Sequence, residues 1–560
     1  MFVCHCGVNI GGVVKVPEVM EYAKTLPNVV YAEQNLYTCS QDTQEKIKEK
    51  IKELKLNRVV VASCTPRTHE PLFQNTIKEA GLNAYLFEMA NIRDQCSWIH
   101  MHEPKAATKK SKDLVRMAVA KSRLLEPLQN LTLKVNQAAL VIGGGVTGMT
   151  AALELAKQGF KVSLVEREKE LGGNTKKLYY LPSGDDPLAF VKELDKEISS
   201  NPNITIYTGA KIKTIDGYVG NFKTTLESGE QIEHGAVILA IGGQEHKPQG
   251  EYLYGKNKNV MTLLELKEKL HKGEAKGNEY VFIQCVGSRE EGHPNCSRVC
   301  CTGTMTAAIE IKKKDPNANV FVLYRDIRTY GFREKYYKEA GRLGVTFIRF
   351  EDKDKPKVDE KGGKLEVKVK DEDTGKEITL KPDYLVLASG TRPQPDAGTL
   401  APMCKVPQTK EGFFLEAHMK LRPVDFATEG IYLAGLAHSP KFVDESIAQA
   451  LAAVSRATTV LSKTELEAEG IVAKIEETLC DGCGICVPIC EYKALEVVPD
   501  KKDPKKKIVE VNVGLCKGCG ACVGACPAGA LTQMGYKDDQ IYAMIDAMLE
   551  EEKPKQEAKQ

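Results

Sequence analysis

Gln137–Glu168 reads QAALVIGGGVTGMTAALELAKQGFKVSLVERE. An apolar run, Ala139–Ile142, leads into Gly143-x-Gly145-x-x-Gly148; an amphipathic helical pattern follows, then a second apolar run ending at Glu166. Strand, glycine turn, helix and strand in succession form the unit from which dinucleotide-binding α/β sheets are built. The glycines let the backbone approach a pyrophosphate, whose charge the helix N-terminus at Val146, Thr147 and Gly148 favours. Glu166 lies near the ~20-residue offset at which a carboxylate holds a ribose hydroxyl, with Arg167 beside it. An acid there disfavours a 2′-phosphate, so FAD or NAD fits better than NADP. The competing reading is a glycine-rich packing turn that holds no ligand.

The chain around this unit has 560 residues, enough for three or four domains at ~100–200 residues each. With 78 Lys and Arg against 76 Asp and Glu, nothing in the charge points to nucleic acid or a membrane surface. No apolar run approaches the ~20 residues of a spanning helix, so no direct membrane insertion is expected. The start, MFVCHCGVNI, lacks the pattern of a secretory signal, and a cytoplasmic protein is expected. In a reducing compartment, 18 cysteines are metal ligands or redox centres before they are disulfides.

Four segments are expected: an α/β domain over 1–135, a dinucleotide-binding core over 136–470, a cysteine-rich domain over 471–536, and a helix with a charged tail over 537–560. In the first, candidate strands Met1–Val3, Val29–Glu33, Arg58–Ala62 and Ala84–Glu88 alternate with helical patterns, which predicts a parallel sheet. The charge-dense stretch Glu351–Pro382 reads as a surface hairpin turning at Asp373–Gly375.

The cysteine-rich segment is the most specific. Cys480, Cys483, Cys486 and Cys490 form a C-x2-C-x2-C-x3-C run, and Cys516, Cys519, Cys522 and Cys526 repeat it, ending in Pro527. Three close thiolates wrap one face of a cubane while the fourth reaches the other cluster. The run therefore assigns Cys480, Cys483, Cys486 and Cys526 to one [4Fe–4S] cluster, and Cys516, Cys519, Cys522 and Cys490 to a second, in an α+β ferredoxin fold. Zinc would need a different pairing. Glu491 stands where the first run often has proline.

Two later segments, Val237–Gly243 (VILAIGG) and Gly430–Gly435 (GIYLAG), resemble flavoprotein reductases of the thioredoxin reductase type, with two dinucleotide-binding subdomains. That resemblance implies FAD, with Gly173, Asn174, Ala240, Gly242, Gly435 and Leu436 among its contacts. The second subdomain is expected over about 275–395. Its first strand, Tyr280–Gln284, runs into CVGSREEGHPNCSRVCC, and only Gly287 remains where a second glycine fingerprint belongs. Cys285, Cys296, Cys300 and Cys301 stand instead at the carboxyl end of a parallel strand, where such sheets bind ligands. A third [4Fe–4S] cluster near the flavin is expected; a redox disulfide and inert buried cysteines are the alternatives. Cys6, Cys39, Cys64 and Cys96 each follow a strand of the first domain and would converge at one sheet edge, with Cys4 able to replace Cys6. Scattered core cysteines are the alternative there.

CHCGVNIGGVV, VVVASCTPRTHEPLF, LFEMANIRDQCSWIH, the Cys285–Cys301 motif and the tandem cysteine runs together resemble the A-subunit family of heterodisulfide reductase over nearly the whole chain. The resemblance implies an oxidoreductase component of anaerobic electron-transfer complexes, with FAD, a non-standard cluster on Cys285, Cys296, Cys300 and Cys301, and an N-terminal cluster. Implied partners are B and C subunits or their equivalents, a hydrogenase or formate dehydrogenase module, and ferredoxin; a homodimeric core is a further expectation. The flavin would relay or split electrons between these partners. Some departures stand out. The ferredoxin insert of methanogen members is missing at Gly220–Phe222. Thr306 occupies a position where bifurcating members carry a lysine near the flavin N5, and Leu436 replaces a ribityl-binding Asp. Two rival readings remain: a free-standing NAD(P)H-dependent ferredoxin or disulfide reductase, and a non-catalytic assembly scaffold.

Overall fold

A computed structural model describes residues 1–181, 183–468 and 470–550. It divides into two compact units: Met1–Thr132 together with the chain from Glu467 onward, and Leu133–Leu466. The N-terminal α/β domain and the ferredoxin module, read as separate in sequence, thus belong to one unit.

In the first unit, Phe2–Cys4, Glu33–Asn35, Val59–Ser63 and Phe87–Asn91 form an all-parallel sheet in which Phe2–Cys4 and Val59–Ser63 are central. Both central strands are buried along their length, as expected of strands covered on two faces. Two strands lie later than expected. Pro27–Asn28 turns the chain, with Asn28 at φ 66°, so pairing starts at Glu33 rather than Val29. A second turn at Asn83 moves the fourth strand from Ala84 to Phe87. The C-terminal helix Asp538–Leu549 lies against the helix Pro104–Arg123. Arg116 donates to the Ala547 carbonyl at 2.5 Å, and Gln540 to that of Leu124 at 2.9 Å. The rest of the charged tail, from 551, lies outside the described residues.

The second unit holds two five-stranded parallel sheets. The first has the order Ile431–Leu433, Ala236–Leu239, Ala138–Ile142, Lys161–Val165, Ile204–Tyr207. Both segments that carried the flavoprotein resemblance thus belong to the sheet of the fingerprint strand. The second sheet has the order Val260–Thr262, Tyr384–Ser389, Glu279–Val286, Asn319–Tyr324, Thr346–Arg349. It begins with Val260, ahead of the expected boundary near 275, because Val260–Thr262 adds an edge strand beside Tyr384–Ser389. The charge-dense stretch is a three-stranded antiparallel meander, Lys357–Lys361, Lys364–Lys370 and Glu377–Leu380. Gly362 and Gly363, both at positive φ, supply a turn that the single-hairpin reading lacked. Among the described residues no helix is long and apolar enough to cross a membrane.

Candidate flavin and iron–sulfur sites

The fingerprint glycines have distinct tasks. Gly143 takes φ 111°, and a Cβ there would meet the Ala240 carbonyl oxygen at 2.3 Å; a Cβ on Gly148 would meet that of Gly143 at 1.8 Å. These two glycines allow strand, turn and helix to pack. A Cβ on Gly145 would meet nothing within 4 Å. Its open face at the start of the helix Val146–Lys157 is the cradle a pyrophosphate requires. Gly435 lets the later segment close over Thr147, whose hydroxyl a Cβ would approach to 2.5 Å.

The Glu166 carboxylate, 9% exposed at the end of its strand, accepts from the amides of Gly144 (2.5 Å) and Glu168 (2.8 Å). Arg167 donates to Gln394 Oε1 at 2.7 Å and pairs with Asp396. The Asn174 amide donates to the Gly243 carbonyl at 2.5 Å, which ties the loop after Gly173 to the strand end beyond Gly242. Gly435 is held by Gln449 on its amide and by the buried Lys441 on its carbonyl, each at 2.9 Å. Val146, Asn174 and Leu436 line a cavity of about 850 Å³, and Tyr180, Lys267, Cys300 and Gly303 line the same space. A ligand-sized cleft beside an open glycine turn fits FAD. Bound there, FAD would supply conversion between two-electron and one-electron transfer.

Cys300 and Cys301 begin the helix Cys300–Lys314, whose N-terminus has no side-chain cap, leaving amides free to face anionic sulfur. Cys285 sits at a break in strand register with φ 63°, a strained conformation that turns it out of the ladder. Burial, and then the neighbouring thiols of Cys301, Cys285 and Cys296, push Cys300 well above the ordinary thiol range. Burial pushes Cys301 up to about 11. Arg289 Nη1 lies 4.0 Å from Cys285 Sγ, the Arg298 amide donates to Cys296 Sγ at 3.3 Å, and Arg328 also bonds Cys296. Four thiols within electrostatic reach of one another, with the Arg289 and Arg328 guanidiniums and the Arg298 amide beside them, suit an anionic cluster. Gly287, the remaining glycine of this loop, is packed onto the His246 ring, with 2.2 Å from its Cβ position to Cδ2. It offers no phosphate the room that Gly145 offers.

Charge coupling runs between the two ferredoxin cysteine runs. Besides burial, the charges acting on Cys486 are Cys526, Cys483 and Cys480; those acting on Cys522 are Cys516, Cys490 and Cys519. Burial leads in pushing Cys522 up to about 11. The halves match in their hydrogen bonds. Ala494 and Ala530 donate to Cys490 and Cys526, each at 3.3 Å; Ala473 and Val509 donate to Cys516 and Cys480, at 3.3 and 3.5 Å.

The N-terminal cysteines divide differently from the expected set. Cys39 and Cys64 each have Cys4 and Cys6 as electrostatic neighbours. Burial and then Cys4 raise the Cys39 thiol, while Cys64 is raised by burial with Arg93, Cys6 and Cys4 as its charged neighbours. Cys4 Sγ accepts from the amides of Cys6 (3.2 Å) and Thr38 (3.3 Å), and Arg93 Nη1 lies 3.7 Å from Cys6 Sγ. Cys96 is not among them. The π-helical turn Arg93–Ser97 directs its thiol inward, where it is fully buried against Ala107 and Ser111. Cys404 is another core thiol, pushed up to about 12 by burial. Sequence reasoning also missed Lys267 and Tyr180 in the cavity wall, because no motif marks them.

Two family models and the curated relatives match this chain. The family model "Pyridine nucleotide-disulphide oxidoreductase" matches residues 137–288, and "4Fe-4S dicluster domain" matches 479–530. The chain is 38% identical to a CoB–CoM heterodisulfide reductase iron–sulfur A-subunit of Methanopyrus kandleri, over 90% of this chain and 92% of that protein. It is 39% identical to the A-subunit of the H2:CoB–CoM heterodisulfide,ferredoxin reductase of Methanothermobacter marburgensis, over 98% of this chain and 97% of the relative. That alignment runs for 652 residues, so the relative carries stretches without a counterpart here. Among solved structures, T. acidophilum thioredoxin reductase aligns with 58% of this chain and 96% of its own at TM-score 0.42 and 20% identity. The chain is an oxidoreductase with flavoprotein and [4Fe–4S] domains, and it belongs to the A-subunit family of heterodisulfide reductase.

Proposed function

We propose that this chain is the electron-distributing component of a heterodisulfide-reductase-like complex of anaerobic metabolism, carrying one FAD and four [4Fe–4S] clusters. The clusters are held by Cys480, Cys483, Cys486 and Cys526; by Cys490, Cys516, Cys519 and Cys522; by Cys285, Cys296, Cys300 and Cys301; and by Cys4, Cys6, Cys39 and Cys64. A low-potential donor (ferredoxin, a hydrogenase or a formate dehydrogenase) supplies electrons that the flavin relays or splits toward B and C subunits or their equivalents, in the cytoplasm. The homodimeric core suggested by the resemblance is part of the same proposal.

The observation that carries this reading is the shared cavity, which Val146, Asn174, Leu436 and Cys300 all line. A flavin in that space would lie next to a one-electron carrier. A free-standing NAD(P)H-dependent enzyme would need a second nucleotide turn, and the packing of Gly287 onto His246 argues against one. Cofactor content tests the proposal. Anaerobically isolated protein should hold about 16 iron atoms and one FAD, at four irons per cluster. Iron near ~8 per chain would leave only the ferredoxin module metallated.

A further inference from the structure

Lys267 is a buried lysine, 5% exposed, on the helix Leu263–Lys272. A capping box fixes that helix: the Thr262 hydroxyl accepts from the Glu265 amide, and the Glu265 carboxylate accepts from the Thr262 amide at 2.8 Å. Lys267 also lines the cavity, together with Val146, Asn174 and Leu436. Its ammonium lies 4.6 Å from the centroid of the Tyr180 ring, and among the described residues it has no hydrogen-bond or ion-pair partner. The one carboxylate whose charge it feels is Glu310, on the helix Cys300–Lys314; burial lowers the lysine to about 8, against that attraction.

Glu310 is itself incompletely satisfied. Oε1 takes an ion pair from Lys314 at 2.7 Å, whereas Oε2 is buried without a well-aligned hydrogen bond. The Tyr180 hydroxyl sits beside Glu310 and Thr306 but is likewise buried without a well-aligned hydrogen bond.

An unpaired buried ammonium is costly, and one cation–π contact offsets only part of that cost. Packing alone would be served better by methionine. A cation held without a partner at a cavity wall suits an occupant whose charge changes. Two electrons from the iron–sulfur clusters, taken with one proton, leave a bound flavin one charge more negative. We propose that Lys267 is the positioning cation for that added charge, with Glu310 setting how much of its field reaches the cavity. This rests on the reading that FAD occupies the cavity.

The test is an anaerobic reductive titration of the flavin absorbance in the full-length protein. Lys267→Met should retain FAD and lower the reduced-to-oxidised ratio at a fixed potential about tenfold, which for a two-electron couple is about 30 mV. Lys267→Arg should restore most of the shift, and Glu310→Gln should move the midpoint the other way. A flavin-loaded Lys267→Met protein with an unchanged midpoint would overturn the proposal. Should that variant not fold, an unchanged midpoint in Glu310→Gln overturns it equally. Wild-type protein that binds no flavin would instead overturn the underlying FAD reading.

Discussion

The Cys96 thiol donates to the Ala107 carbonyl at 3.0 Å, between the parallel sheet and the helix Pro104–Arg123. Cys4, in contrast, accepts two backbone amides at the sheet edge where Cys6, Cys39 and Cys64 meet. Cys4→Ala should therefore cost about a quarter of the bound iron, at four irons per cluster. Cys96→Ala should leave iron unchanged and lower stability by about 1 kcal/mol, as a small truncation in the core. Iron analysis and chemical denaturation of both variants check the assignment.

The crossed ferredoxin runs make a second prediction. Cys526→Ala should perturb the cluster of Cys480, Cys483 and Cys486, although it belongs to the other run. In Cys490→Ala the effect should fall on the cluster of Cys516, Cys519 and Cys522. EPR spectra of the reduced variants distinguish this from a local arrangement, in which each substitution would remove the signal of its own run.

Gly145 and Gly148 should separate binding from folding. Gly145→Val places a side chain in the open cradle and should strip FAD while changing stability by no more than about 0.5 kcal/mol, as at other sites free of packing constraint. Gly148→Ala drives a Cβ into the Gly143 carbonyl and should cost about 1–3 kcal/mol by overpacking. Flavin content of the purified variants and their denaturation midpoints give the two readings.

How much was legible followed how local each signal was. The ferredoxin cysteines lie within short runs, and the fingerprint glycines within one strand–turn–helix unit, so spacing alone assigns them. Cys285 and Cys301 are close in sequence and could be grouped, but only the fold brings their neighbour Cys300 and Leu436 to the lining of one cavity. The N-terminal set is drawn from separate loops. There, the rotation of one turn decides which thiol faces the edge, and the turn Arg93–Ser97 takes Cys96 inward. Strand starts at Val29 and Ala84 slipped by a few residues, because propensity does not register the turns at Asn28 and Asn83. Lys267 was invisible for a related reason: a lysine in an amphipathic helix reads as solvent-facing until Tyr180, from a distant loop, covers it.

Thr306 tests whether charge near the flavin is tuned from this helix. Its hydroxyl donates to the Gly303 carbonyl at 3.0 Å, next to Tyr180. Thr306→Lys would add a cation close to Glu310, and should raise the flavin midpoint and favour its reduced form. An unshifted titration in the loaded variant would show that residue 306 does not act on the flavin.

In the proposed function, electrons pass between the flavin and the remaining clusters through the cluster of Cys285, Cys296, Cys300 and Cys301. That path is tested most directly by the rate of flavin bleaching by reduced ferredoxin, compared between wild type and Cys300→Ala/Cys301→Ala. The variant should keep both terminal clusters, whose ligands lie elsewhere, and at equal flavin loading should bleach at least about tenfold more slowly once the intervening carrier is lost. Undiminished bleaching in a variant shown to lack that cluster would contradict it.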